Sequence, residues 1–218
     1  MVLLGRWQWE RYETRNAINA RIDASATAQP VPFSPTTPEW TRVTLTGQYD
    51  PHLEILARNR NVDGKHGFEI LTPLLLDDGS AVLVDRGWVP PHPGGPTVDP
   101  DFTPAPSGVV TLTGRVRAGE TGARPELRNG RWQIRRIGPE ELAPKLPYRV
   151  ASVYVLADAE FTDLVPVPSD RENDWLNLGY AIQWWIFAAG SFFALFWLAR
   201  RESRELAASQ DQPPVEAA

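Results

Sequence analysis

From Leu176 to Ala199 the chain reads LNLGYAIQWWIFAAGSFFALFWLA, without one charged side chain. No other feature restricts the fold so tightly. As a helix the block would be about 36 Å long, against roughly 30 Å of bilayer hydrocarbon. Uncharged runs of this length span membranes far more often than they hide inside soluble domains. Its only amide side chains are Asn177 and Gln183, the first near one end, where interfacial water can reach it. Tyr180, Trp184 and Trp185 cluster towards that end and Trp197 lies towards the other. Amphipathic rings favour those two headgroup levels.

The flanks set an orientation. Arg200, Arg201 and Arg204 follow the block, whereas SDREND before it holds one arginine among three acids. Basic flanks stay cytoplasmic, so the C-terminal tail is expected inside the plasma membrane and the main domain outside it. At the other end, MVLLGRWQWERYETRNAINARID predicts a helix: Arg6 and Glu10 have the spacing of a stabilising pair, and Leu4, Trp7, Ile18 and Ile22 fall roughly on one face. Its apolar start is too short to span a bilayer or act as a signal peptide, yet a domain placed outside must be exported. We therefore read it as the end of a first membrane helix that closes near Gly5. The resulting division is residues 1–23 as this helix, 24–170 as an extracytoplasmic β-rich domain, 171–200 as a transmembrane helix and 201–218 as a cytoplasmic, disordered tail.

Between the helices, 21 prolines and 16 glycines favour a turn-rich β domain over a helical bundle. TRVTLTGQYD alternates with Val43, Leu45 and Tyr49 on one face, and VVTLTGRVRA repeats the pattern at Val110, Leu112 and Val116. GFEILTPLLL and AVLVDRGWV flank a DDGS turn, the chemistry of a hairpin. HLEILARNR, RWQIRRI and YRVASVYVLAD supply further strands, with PEELAPKL as one short helix. About six or seven antiparallel strands suit a small barrel or sandwich. VTLTG occurs at Val43–Gly47 and again at Val110–Gly114, either a remnant of duplication or, the reading preferred here, a coincidence of strand-prone segments. A glycine within each strand predicts a bulge or bend.

The chemistry available is limited. With no cysteine, disulfides and thiolate metal sites are impossible. A net charge of −5 offers no concentrated basic face for nucleic acid. His52, His66 and His92 lie in separate segments, without the helical pairing of a zinc enzyme. Ser80 lacks the turn that exposes a hydrolase nucleophile, Asp77 and Asp78 are explained by their own turn, and Gly64–Gly67 is too short for a phosphate loop. The arginines of RNGRWQIRR could grip an acidic partner or haem propionates, although a solvated strand face explains them more simply. No catalytic constellation emerges.

Four segments, in order along the chain, resemble the surfeit-locus-1 family of cytochrome c oxidase assembly factors. LGRWQWER looks like the close of that family's first membrane helix; VTLTGQYD carries its Gly-x-Tyr-Asp ending at Gly47, Tyr49 and Asp50. GFEILTPL with AVLVDRGWVP is similar to its central hairpin, whose signature runs Arg86 to Pro90, and LNLGYAIQWWIFA resembles the start of its second membrane helix. The resemblance implies a mainly β domain between two membrane helices, a bacterial member assisting haem-a centre maturation in oxidase subunit I, and haem a as cofactor. Such a protein would hold or present haem as a chaperone and catalyse no bond chemistry. It also implies a haem-facing side of the second helix at Asn177, Tyr180, Gln183 and Trp184. One departure matters: family members often carry histidine where Asn177 stands, and an amide is a poor iron ligand beside imidazole. The alternatives for those residues are interfacial anchoring and helix packing. For the whole protein, the alternative is a membrane-anchored binding module of the cell envelope unrelated to respiration.

Overall fold

The computed structural model describes residues 2–95, 97–158, 161, 163–168 and 175–210, of which 2, 175–177 and 205–210 are described by backbone alone. The chain forms two compact units, one of Arg21–Asp170 and one of the two terminal segments.

In the first unit, strand β2 (Arg42–Tyr49) buries Val43, Leu45 and Tyr49, and β6 (Val109–Ala118) buries Leu112 and Val116, as their alternation predicts. The two VTLTG copies pair with each other, antiparallel, so that Leu45 faces Leu112 and each valine faces the other copy's glycine. Neither glycine makes a bulge, because the β2–β6 register runs unbroken through both. Close approach is what they permit. A Cβ on Gly47 would sit 2.3 Å from the Leu75 carbonyl oxygen, and one on Gly114 would sit 2.5 Å from that of Leu156.

The approach at Gly47 closes a barrel. Strands β4 (Lys65–Leu75) and β5 (Ala81–Val89) form the expected hairpin, its turn held by Ser80 N and Oγ donating to Asp78 Oδ1 at 2.9 and 2.6 Å. Strand β9 (Val150–Ala157) lies between β5 and β6, and the last residues of β4 pair with Gln48 and Tyr49. The ring is therefore β2-β6-β9-β5-β4 and back to β2. From β4 a wing of β3 (Ile55–Val62), β8 (Arg131–Ile134) and β7 (Glu126–Arg128) extends away, and β1 (Val31–Pro32) edges β2.

The described residues thus hold nine strands, where six or seven were expected, and three pairings are parallel: β1–β2, β3–β8 and β5–β9. The physical reason is length and connection. β1 and β7 are too short to show alternation, and parallel neighbours need long crossovers that turn chemistry does not announce.

Two apolar layers result. Val43, Leu74, Val82, Val84, Leu112 and Val155 fill the barrel, while Leu71, Leu83, Ile134, Ile137 and Leu142 pack on the opposite face of β4 and β5, under helix α2 (Pro139–Leu142). Strand β5 lies between them, and all nine of its residues are buried.

In the helical unit, α1 (Val2–Thr27) starts, as predicted, with an Arg6–Glu10 pair at 3.0 Å, though Leu4 and Trp7 remain exposed. Helix α3 (Trp175–Gln210) contains the apolar block and continues beyond Arg200 into residues expected as tail. Among the described residues one segment, Leu178–Arg204, is long and apolar enough to cross a membrane. Its large side chains face outward, Phe192 and Phe193 being 68% and 70% exposed, and exposed apolar patches of this kind mark membrane or protein contact surfaces. Ala181 and Ala188 are its buried small residues, and a Cβ on Gly5 would come within 3.2 Å of the Trp185 ring. Close helix packing in membranes relies on such small residues.

Gly47→Ala should lower stability by about 1–3 kcal/mol or more, because the added methyl meets backbone that cannot rotate aside. Urea unfolding of the variant, read against Gly64→Ala, where a Cβ meets nothing within 4 Å but φ is +77°, separates steric clash from backbone strain.

Candidate functional site

The face of β5 that lines the barrel reads Val82, Val84, Arg86, so a guanidinium follows two valines into the interior. Arg86 and Glu54 have side chains only 1% and 4% exposed, and Arg86 Nη1 donates to Glu54 Oε1 at 3.0 Å. Nη2 donates to the Thr103 carbonyl at 2.8 Å, and Ala105 N donates to the same Glu54 oxygen at 3.1 Å. The guanidinium lies 4.7 Å from the Phe161 ring centroid. Burial pulls Arg86 below the ordinary arginine range, with Glu54 opposing. Its Nε is buried without a hydrogen-bond acceptor among the described residues.

Here the barrel mouth opens into a cavity of about 350 Å³, lined by Tyr49, Arg86, Pro104, Pro106, Leu112 and Phe161 among others. Asp163 sits at its rim, held below the usual carboxylate range by hydrogen bonds from Thr103. The two sequence signatures meet at this cavity. In the first, Gly47 closes the barrel, Tyr49 turns its ring edge-on to Phe161 at 6.3 Å, and Asp50 accepts from His52 N and Tyr148 Oη. In the second, Arg86 enters the cavity wall and Gly87, at φ +134°, swings the backbone so that Trp88 and Val165 exchange two hydrogen bonds. The Trp88 indole then donates to the Arg60 carbonyl at 3.1 Å, over Gly67, where a Cβ would overlap the ring. A neutralised cation beside apolar walls suits a partly apolar ligand or peptide segment that brings one hydrogen-bond acceptor.

On the opposite face of β5, Asp85 is 1% exposed and lies beside Glu69. Burial, with the Glu69 charge, holds Asp85 well above the usual range; burial also raises Glu69, against the attraction of Arg60. Arg60 Nε donates to Glu69 at 2.6 Å and Nη2 to Glu120 at 2.7 Å. Asp85 in turn accepts from Gly87 N at 3.1 Å.

The predicted site residues fall elsewhere. The Asn177 side chain lies outside the described residues. Tyr180 and Gln183 are exposed on α3 and Trp184 is half-buried, so the three share a continuous side of the helix; Trp184 meets Phe187 edge-on at 6.2 Å. His52, His66 and His92 stay apart, and among the described residues no three His, Cys, Asp or Glu side chains group as a metal site would require. Of the arginines in RNGRWQIRR, Arg128 pairs with Glu126, Arg131 covers Phe102, and Arg136 donates to the Thr121 carbonyl, which makes most of them structural. Sequence reasoning noted Arg86 only as part of a signature. The available signal was a charged pair, Asp85-Arg86, interrupting an otherwise apolar strand.

Two substitutions test these charge clusters. Arg86→Met should cost about 3–5 kcal/mol in urea unfolding by stranding Glu54, and adding Glu54→Gln should recover much of it. A carboxyl whose folded form binds its proton more tightly than the unfolded chain loses stability as pH rises from the ordinary aspartate range through the folded value. Asp85→Asn abolishes that loss, so its unfolding free energy should fall less than that of the unsubstituted protein between about pH 5 and about pH 8.

A SURF1 family sequence model matches residues 1–189. A SURF1-like protein of Mycobacterium bovis is 32% identical over 93% of this chain and 79% of its own length. The cytochrome oxidase assembly protein SHY1 of Saccharomyces cerevisiae is 32% identical over 39% of this chain and 24% of its own. A SURF1-like protein of Rickettsia felis is 27% identical over 40% of this chain and 41% of its own. With its model matched from the first helix well into α3, and a relative aligned along nearly its whole length, this chain belongs to the SURF1 family.

Proposed function

We propose that the protein is a membrane-anchored assembly factor for cytochrome c oxidase, assisting maturation of the haem-a centre in subunit I. The observation that carries this reading is the similarity to the yeast protein named for cytochrome oxidase assembly, within a family whose model matches residues 1–189. The length and apolar character of α3 support membrane anchoring, and the arginines that follow the apolar block support a cytoplasmic C-terminus with the β unit outside the plasma membrane. The role is chaperone-like: the protein binds and presents, and its buried charges serve the fold.

Haem a, in this reading, meets α3 along Tyr180, Gln183 and Trp184. Their support is exposure, since two of the three are open to the surroundings and Trp184 offers part of an indole face. Asn177 supplies no imidazole, so these residues would contact the porphyrin without ligating its iron. Membrane lipid would be the other neighbour of this helix.

Deleting the gene should remove the haem-a band from reduced-minus-oxidised spectra of the membranes, and the intact gene should restore it. An unchanged band, in a strain without a second copy, would overturn the assembly reading in favour of an envelope binding module. Restoration by a Trp184→Ala copy should be incomplete at equal protein level; full restoration would remove α3 from the haem contact.

A further inference from the structure

We propose that the open end of the β3–β4–β8 wing binds an oxyanion, a phosphate or carboxylate group, carried on a ligand with an apolar part. The site is separate from the barrel mouth and does not rest on the oxidase reading.

Three strand ends converge there on a cavity of about 350 Å³. Arg58 comes from β3, His66 and Phe68 from β4, Arg135 follows β8 and Pro91 follows β5. A bulge shapes it: the β3–β4 register slips between Arg58 and Arg60, leaving Asn59 at φ +61° in the cavity wall. Bulges re-aim neighbouring side chains and recur beside functional sites.

The charge is unbalanced. Among the described residues no carboxylate lines this cavity. Glu126 reaches Arg58 Nη2 at 3.1 Å but is shared with Arg128, at 2.7 Å, so one negative charge serves two guanidinium groups. Among the described residues Arg135 has no ion-pair partner, and it stands exposed at the cavity edge. Arg58 Nε, which is buried, has no acceptor among the described residues, so Glu126 is the carboxylate recorded against this guanidinium. Guanidinium groups bind oxyanions with paired, charge-assisted hydrogen bonds, and Arg58 and Arg135 both line this cavity. In a chain of net charge −5 this local excess of arginine is not a general feature of the surface. The barrel mouth is the opposite case, because Glu54 and Asp163 already offset Arg86 there.

Phe68 and Pro91 give the cavity an apolar wall beside the cations, so phenyl phosphate should bind more tightly than inorganic phosphate. Calorimetric titration of the full chain in neutral detergent, at low ionic strength, tests this. The expected result is saturable binding of one phenyl phosphate, weakened about tenfold or more by Arg135→Gln and by His66→Gln, and changed less than about twofold by Arg149→Gln on a distant exposed arginine. Absence of saturable binding, or equal weakening by Arg149→Gln, would overturn the proposal. Vesicles containing phosphatidylglycerol then identify the source: displacement of phenyl phosphate assigns a lipid headgroup, and failure to displace it assigns a soluble ligand.

Discussion

A strand buried along its whole length can carry charge only if every charged group brings its partners with it, and β5 carries two. Asp85 and Arg86 are adjacent, so they leave the strand on opposite faces, and each is nearly sealed from water. Isolated, either charge would cost several kcal/mol. The fold answers by importing partners from far along the chain. Glu54 precedes β3, and the Thr103–Ala105 segment leads to β6; both converge on Arg86. Glu69 of β4, Arg60 of β3 and Glu120 beyond β6 assemble behind Asp85. These two clusters fasten the wing and the loop before β6 to the barrel, and hydrophobic packing alone would leave both attachments less specific.

Gly87 completes that arrangement. Its positive φ sends Trp88 under the wing, where the indole reports back to Arg60 of the acid cluster. One short run, Arg86-Gly87-Trp88, thereby ties a cavity, a bend and an anchor into a single unit. That is a physical reason for these three residue types to stand together, independent of any resemblance.

How much of this was legible varies with period and range. Alternation exposed β2 and β6 because each has one wet face, and Asp-Gly exposed the β4–β5 turn. Strand β5 itself shows no alternation, since both its faces are buried, and its parallel pairing to β9 leaves no local mark. The glycines of the two VTLTG copies were visible as exceptions but misleading as bulges: whether a glycine bends a strand or admits a neighbour depends on residues thirty or forty positions away. For the helices, absence of charge sufficed to mark the membrane segment, whereas its extension to Gln210 follows from helix-forming residues that carry charge and so lie outside that criterion. The cavity at Arg58 was the least legible, because its residues come from segments far apart in the sequence.

Strong proton-affinity shifts usually point towards catalysis, and burial with the Glu69 charge raises Asp85 well above its usual range. Geometry argues for another origin. Asp85 lines none of the cavities described above, and everything it meets is fold: a backbone N–H, a second carboxyl and the arginine that serves it. A substrate would have to open the layer between barrel and α2 to reach it. The two cavities described above, the barrel mouth and the one at Arg58, hold cations and apolar walls. Such surfaces suit the recognition of a partly apolar ligand.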